Sequence, residues 1–240
     1  MKRSFITVLF ITAFSVGLTA QSTDPYQLLD KVKAKMDLVK DYQADITIRL
    51  SLDMLKIPAK KAKMYYKRPD KIHFETKGFA LIPKKASNFQ QRDVLEGEYT
   101  AIFVRHELFE GRKLSVIKVV PMDDAADVVL STLWVDAELN QIRKVESVTR
   151  NDGSVNIQFI YGGMPFDLPK AIQIKFEVPK TELPMGITGD FDGGLEMPAE
   201  EEEGGKTKKS KGSVWVTYEN YVVNAGIDDA VFTKSSKGKK

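Results

Sequence analysis

Tyr42-Gln43-Ala44-Asp45-Ile46-Thr47-Ile48-Arg49-Leu50-Ser51-Leu52-Asp53-Met54 decides the fold of this chain, because apolar and polar residues alternate along it without a break. Successive side chains of a strand point to opposite faces of its sheet, so this run has one apolar and one polar face. At about 3.3 Å per residue it would span roughly 40 Å, whereas an average strand has only about 5–6 residues. A strand of this length must curve with its sheet, and its apolar face needs a cover.

One amphipathic helix precedes this strand. Asp24 is predicted as the N-cap, Pro25 as the first helical residue, and Gln27 stands at capping-box spacing. Apolar residues then recur at helical spacing as far as the start of the strand, and they are Leu28, Leu29, Val32, Met36 and Val39. We expect a helix from Tyr26 to Lys40 that packs on the apolar face of the strand.

Almost all of the remaining sequence predicts strands joined by short turns. Asn151-Asp152-Gly153 is a strong hairpin signal. The predicted strands are 62–66, 72–75, 99–104, 114–120, 128–135, 142–149, 155–161, 171–178 and 214–223. Consecutive strands with short connections indicate an antiparallel meander.

Two stretches interrupt the strand pattern. Residues 78–92 are predicted as a loop or short helix. Residues 189–212 are low in apolar residues and rich in Gly, Glu and Lys, so they are predicted as a disordered loop between two paired strands. We therefore expect one domain over residues 21–233, with residues 234–240 as a basic disordered tail.

The dimensions of the helix and sheet favour an open barrel. About ten strands spaced about 4.8 Å apart give a face nearly 50 Å wide, and a helix of about 16 residues covers about a quarter of it. The fold class predicted is therefore mainly β: an open, incomplete antiparallel β-barrel with an N-terminal helix and a short helical or loop lid over the concave face.

The N-terminus has the features of a secretory signal peptide. Lys2 and Arg3 precede an apolar stretch, and Ala20 ends it, so residues 1–20 are predicted to be removed. The chain has no cysteine, which excludes disulfides, thiolate metal sites and thioether-linked lipids. The formal net charge of +3 falls to +1 without the two leader cations, which argues against nucleic-acid binding. We expect a secreted, unlipidated monomer.

Catalytic and metal-binding constellations are absent from the sequence. His73 and His106 are isolated, and neither a phosphate-binding glycine loop nor a nucleophile elbow is present. The acidic run 200–203 lacks the fixed ligand cage that calcium requires. The sequence therefore predicts neither an enzyme nor a bound cofactor or metal.

Arg68 is the most informative polar residue. It extends the apolar face of Ala62, Met64 and Tyr66, where a guanidinium is costly unless it finds acceptors. One interpretation is an arginine at a strand end that reaches water. The other is a polar latch at the mouth of an apolar cavity, which would bind carbonyl groups of a covering helix or loop.

Several segments, in this order, resemble the LolA-like periplasmic lipoprotein carriers. They are the helix leading into Tyr42-Gln43-Ala44-Asp45-Ile46, the motif Tyr66-Lys67-Arg68-Pro69-Asp70, the run Leu133-Trp134-Val135-Asp136 continuing to Asn151-Asp152-Gly153, and the ending Tyr221-Val222-Val223-Asn224-Ala225-Gly226-Ile227-Asp228-Asp229-Ala230-Val231-Phe232. The resemblance implies an open β-barrel with a helical lid, and a role in ferrying acylated lipoproteins from an inner-membrane transporter to an outer-membrane acceptor.

The resemblance also assigns roles to residues. Arg68 would hydrogen-bond to the lid in the closed form, and Ile72 stands where the family has an aromatic residue. The expected lining for lipoprotein acyl chains or other lipids is apolar and comprises Met36, Ile46, Ile48, Leu50, Leu52, Met64, Tyr66, Ile72 and Phe74. Carriage of another lipid, sensing of mislocalised lipoproteins, and a signalling or scaffold module that binds a protein partner remain alternatives.

Overall fold

The computed structural model describes residues 24–52, 55–56, 58–75, 93–150, 153–179 and 209–233. One helix, α1 (Pro25–Met36), precedes eleven strands. These are β1 (Asp41–Leu52), β2 (Leu55–Lys56), β3 (Lys60–Lys67), β4 (Lys71–Glu75), β5 (Tyr99–Phe109), β6 (Arg112–Pro121), β7 (Val128–Asp136), β8 (Gln141–Thr149), β9 (Ser154–Tyr161), β10 (Pro169–Pro179) and β11 (Lys209–Val223). Short 3-10 turns cover Asp93–Leu95 and Pro165–Asp167, and a last helical turn covers Ala230–Thr233.

All strands belong to one antiparallel sheet in the order β4-β3-β1-β11-β10-β9-β8-β7-β6-β5, with β2 paired to the end of β1. The strand pairing joins the two ends of the chain, because β11 lies between β1 and β10. Within the described part of the chain, β4 and β5 are edge strands that do not pair with each other. The predicted fold class, a mainly β open antiparallel barrel with an N-terminal helix, is confirmed.

The long alternating strand is present, and its apolar side chains lie on the buried face of the sheet. β1 begins at Asp41 and ends at Leu52, and its inward side chains Ala44, Ile46, Ile48 and Leu50 are all buried. These side chains belong to a single apolar core that also takes in the buried face of α1. The concave face of the sheet is therefore the inside of the molecule, and α1 lies on it.

Helix α1 begins as predicted but ends earlier. The Asp24 carboxylate accepts hydrogen bonds from the backbone N–H groups of Tyr26 and Gln27, and Pro25 is the first helical residue. The helix ends at Met36 rather than Lys40. The cause is tertiary: Asn224 donates to the Leu38 carbonyl at 2.8 Å and accepts from the Lys40 N–H at 2.7 Å, so those groups are held outside the helix.

The low-complexity segment is also shorter than expected. Lys211 pairs with Glu177 and Gly212 with Phe176, so residues 209–212 belong to β11. The main-chain ladder extends into a polar, glycine-containing stretch because neighbouring β10 supplies the hydrogen bonds. The predicted loop at 78–92 and residues 189–208 of the predicted loop at 189–212 lie outside the described residues.

Candidate functional site: the concave face and its helix

The apolar concave face contains the residues predicted to line a lipid site. Ile46, Ile48, Leu50, Met64 and Tyr66 are buried, and Met36, Ile72 and Phe74 are half-buried against the same core. Leu52 pairs with Gly212 at the end of β1, but its side chain lies outside the described residues. Strands β1, β3 and β4 therefore form a continuous apolar wall next to the open edge of the sheet.

Helix α1 belongs to the same apolar core as this wall and contributes three apolar side chains to it, Leu28, Leu29 and Val32, each at most 5% exposed. Three such side chains contribute about 5–9 kcal/mol of apolar burial in total. The helix is thus held to the sheet mainly by surface that an apolar ligand could also cover.

Polar contacts hold α1 near its start and near its last turn. The Tyr26 hydroxyl accepts a hydrogen bond from the Ala101 N–H of edge strand β5 at 3.0 Å, and its ring stacks on Tyr99. Further along, the Lys35 ammonium donates to the Leu139 carbonyl at 2.7 Å and pairs with Asp167 at 2.6 Å. All these groups lie at the rim of the concave face, where water can replace them.

Arg68 holds the C-terminal end of α1. Its Nη1 donates to the main-chain carbonyl of Asp37, the C-cap residue, at 3.1 Å, and its Nη2 lies 3.2 Å from the Asp37 carboxylate. A carbonyl at a helix C-terminus carries partial negative charge, so a guanidinium is well placed there. The backbone N–H of Arg68 donates separately to Lys40. The guanidinium therefore connects the turn after β3 to the helix that covers the concave face.

The β3–β4 hairpin that carries Arg68 is itself anchored. Lys67 donates to the Ile227 carbonyl at 2.8 Å, and both Lys67 and Lys71 pair with Asp229, at 2.6 and 3.0 Å. Hydrogen bonds from Lys67 and then Lys71 lower the pKa of the Asp229 carboxyl. The C-terminal segment thus fixes the turn end of this hairpin. Movement at Arg68 would therefore involve its side chain and α1 rather than the strands.

A group of inward tyrosines was not singled out from the sequence. Tyr42 contacts both Tyr66 and Tyr221, with ring centroids 5.0 and 5.4 Å apart, and Tyr221 stacks on Tyr218. Burial raises the pKa of Tyr42, Tyr218 and Tyr221, so these phenols stay neutral. Alternation alone would have placed Tyr218 inward, but only the pairing of β1 with β11 brings it to Tyr42.

Tyr221 of this group and the nearby Tyr161 have hydroxyls with defined partners. Tyr221 donates to the Pro169 carbonyl at 3.0 Å, and Tyr161 donates to the Ile142 carbonyl at 2.7 Å. A phenol has one hydrogen to donate, so these two hydroxyls satisfy backbone carbonyls and anchor the rings at one end of the apolar wall.

The two histidines lie apart from this face. His73 is on the outward face of β4 beside Tyr65, and His106 is exposed on β5. In the described ranges, no cluster of three or more His, Cys, Asp or Glu side chains has the spacing of a metal site. None of the helices described is both long and apolar enough to cross a bilayer.

Solved structures with the same architecture connect this fold to a known class. The chain superimposes on a domain assigned to outer membrane lipoprotein sorting from Vibrio parahaemolyticus, with a TM-score of 0.53, 10% identity, and coverage of 88% of this chain and 98% of the other. A LolA superfamily protein from Nitrosomonas europaea gives 0.53 and 11% identity, with coverage of 88% and 98%. A DUF1329 family protein from Desulfovibrio piger gives 0.55 and 11%, with coverage of 89% and 99%.

The protein therefore has the LolA-like fold over nearly the whole length of these structures. Neither the sequence-family models nor the curated proteins give a match. At this low identity the similarity defines the architecture, and the residues of the concave face must supply the argument for function.

Proposed function

We propose that this protein is a periplasmic carrier that holds acyl chains of lipoproteins or other lipids between α1 and the concave face of its sheet. The observation that carries the proposal is the helix itself. It packs into the apolar core of the concave face through three apolar side chains, while its polar contacts are made by exposed or half-buried side chains. A lid built in this way exchanges its apolar contacts for those of an acyl chain.

The energy of acyl transfer fits such a lid. A chain of about 16 carbons gains roughly 12 kcal/mol by leaving water, which exceeds the burial of the three α1 side chains. The ligand can therefore displace the helix from the wall. By resemblance to LolA-like carriers, loading would occur at an inner-membrane transporter and release at an outer-membrane acceptor. The role is one of binding, without catalysis or a cofactor.

The proposal is tested by native mass spectrometry of the purified protein, followed by titration of delipidated protein with a fluorescent fatty acid. We expect co-purifying acyl chains and saturable binding. Ile72→Asp, on the inward face of edge strand β4, should weaken binding, whereas His73→Asp on the outward face should not. Absence of saturable binding by the delipidated protein would contradict the proposal.

A second candidate, a module of the same fold that binds a protein partner, is favoured by one observation. Within the described residues, edge strand β5 pairs with a strand on one side only and exposes Ile102, Val104 and Leu108, and a sheet edge with apolar side chains is a common docking feature. This function predicts a partner whose binding is lost in Val104→Lys while fatty-acid binding is unchanged. Binding of fatty acid without such a partner would favour the carrier.

A further inference from the structure

The convex face of the sheet carries a basic patch that the proposed carrier function does not use. We define the basic patch as Arg49, Lys61 and Lys175 around Trp215. Arg49 on β1 is directly opposite Trp215 on β11, and Lys61 on β3 is opposite Thr47, one outward position from Arg49. Lys175 on β10 is opposite Ser213, one outward position from Trp215. The four residues thus lie on four adjacent strands, and the two farthest apart, Lys61 and Lys175, are separated by about 14 Å across the strands and about 13 Å along them.

Strand periodicity places these side chains on the convex face. Their neighbours in sequence, Ile48, Leu50, Val214 and Ile174, are buried in the core, so the patch residues point the opposite way. Arg49, Lys61 and Lys175 are exposed, and Trp215 is half-buried among them. An indole is therefore presented at the surface with cations on both sides.

The three cations of the patch have no ion-pair partner among the described residues. Elsewhere on the convex face cations pair with carboxylates: Lys63 with Asp45 at 3.5 Å, and Lys144 with Glu146 at 2.6 Å. In contrast, Arg49, Lys61 and Lys175 form no salt bridge within the described part of the chain. The local field is thus positive although the chain as a whole is close to neutral.

We propose that the basic patch docks the protein on a bilayer surface that exposes anionic phospholipid headgroups. Tryptophan favours the interface between headgroups and acyl chains, and lysine or arginine beside it gains from anionic lipid. A bilayer fits the patch better than an acidic protein does, because β11 and β10 are paired on both sides where they carry Trp215 and Lys175, which leaves no backbone groups there for strand addition. Only charge and one indole are presented, and a lipid surface without fixed shape can match them.

Docking through the basic patch would leave the contact between Arg68 and the end of α1 accessible. Lys61 lies near the start of β3 and Arg68 follows its end, so the two are separated by roughly 20 Å along the strand. The concave face and α1 lie on the opposite side of the sheet from the patch. The inference therefore goes beyond the proposed carrier function and does not depend on which ligand the concave face binds.

The first experiment measures co-sedimentation with vesicles of phosphatidylcholine alone and with about one-third phosphatidylglycerol. We expect binding only to the anionic vesicles. The variant Arg49→Gln/Lys61→Gln/Lys175→Gln should bind about 100-fold more weakly, since each basic residue near an anionic surface contributes about fivefold. The matched control Lys113→Gln/Lys118→Gln/Lys170→Gln removes the same charge from exposed lysines elsewhere and should bind like wild type.

The second experiment uses Trp215 as a reporter. The chain has two tryptophans, and Trp134 is only 5% exposed, so Trp134→Phe leaves Trp215 as the single indole. Its emission should shift to the blue with anionic vesicles and not with phosphatidylcholine. If Trp134→Phe does not fold, subtracting the spectrum of Trp215→Phe from that of wild type gives the same reading.

Two results would overturn the proposal. One is equal loss of vesicle binding in the patch variant and the control variant, which would indicate net charge rather than a docking site. The other is retention of vesicle binding by the patch variant together with loss of binding to polyglutamate, which would assign the patch to an acidic protein partner. Melting curves of both triple variants show whether each is folded.

Discussion

Replacing Arg68 by leucine tests whether the guanidinium selects the closed position of α1. The variant removes the hydrogen bond to the Asp37 carbonyl and the ion pair with its carboxylate, and it keeps the backbone hydrogen bond from residue 68 to Lys40. A hydrogen bond to a charged group contributes about 1.5–3 kcal/mol. The ion pair adds little, because the two side chains are 32% and 42% exposed and solvent screens them. The expected loss is therefore about 1–3 kcal/mol.

The effect on ligand binding distinguishes a latch from a structural arginine. If the contact exists only while α1 covers the concave face, its loss raises the population of the open form and tightens acyl binding. A shift of 1–3 kcal/mol corresponds to roughly 5- to 150-fold in apparent affinity. Asp37→Asn is the matched control, since it removes the carboxylate but leaves the carbonyl that Arg68 binds. It should change affinity only slightly.

The assay is titration with a fluorescent fatty acid, measured beside thermal unfolding of the ligand-free protein. We expect tighter binding by Arg68→Leu and a melting temperature lowered by several degrees, given about 2–4 °C per kcal/mol for a domain of this size. Weaker or unchanged fatty-acid binding with the same drop in melting temperature would refute the latch. Arg68 would then stabilise the turn in both forms of the protein.

Three further predictions follow from the described contacts. Thr47→Cys should react with a bulky thiol reagent faster than Ile48→Cys in the folded, ligand-free protein, because Ile48 is inward. The chain has no cysteine of its own, so each variant reports on one position, and the reverse order of rates would contradict the face assignment. Replacing residues 189–208, which precede β11, by a short Gly-Ser linker should change the free energy of unfolding by no more than about 1 kcal/mol, as measured by denaturant unfolding. Burial tends to raise the pKa of the Asp136 carboxyl, but hydrogen bonds from Arg112 and from two backbone N–H groups outweigh it and the pKa is lowered. Above about pH 4, the ordinary pKa range of an aspartate, wild type should therefore have a higher melting temperature than Asp136→Asn. This advantage should vanish as the pH falls through the lowered pKa. An equal difference in melting temperature at all pH values would show that the charge of Asp136 is not the cause.

The sheet could be predicted from local patterns because each strand carries its own alternation. The run from Tyr42 specified which face of β1 is buried, and Asn151-Asp152-Gly153 specified the β8–β9 pairing, which joins Val148 to Ser154. The loop at 189–212 was predicted to join two paired strands, and β11 indeed pairs with β10, but local patterns did not specify β1 as the other neighbour of β11. That second pairing follows from the full set of strand registers, which no single segment encodes.

The end of α1 and the tyrosine group show why the rest was not predictable. Helical periodicity continues to Val39, which is indeed buried, but hydrogen bonds between Asn224, far away in sequence, and the main chain of Leu38 and Lys40 hold this segment outside the helix. Likewise, Tyr42 and Tyr221 are 179 positions apart in sequence and meet only because β1 and β11 are neighbours. Contacts between distant residues decide both features, whereas periodicity reports on near neighbours.

The composition of the contacts along α1 explains how such a lid could select its ligand. When the helix lifts, water can satisfy Tyr26, Lys35 and Arg68, so each of these polar contacts costs only about 0.5–3 kcal/mol to break. Water cannot replace the contacts of Leu28, Leu29 and Val32, and only an apolar ligand can cover the surface they leave. Opening of the lid is therefore coupled to binding of an apolar ligand. The free energy of the polar contacts sets how much apolar surface that ligand must bury. Release follows the same relation in reverse: return of α1 to the sheet recovers part of the energy needed to expel the acyl chain, and an acceptor with its own apolar surface must supply the remainder.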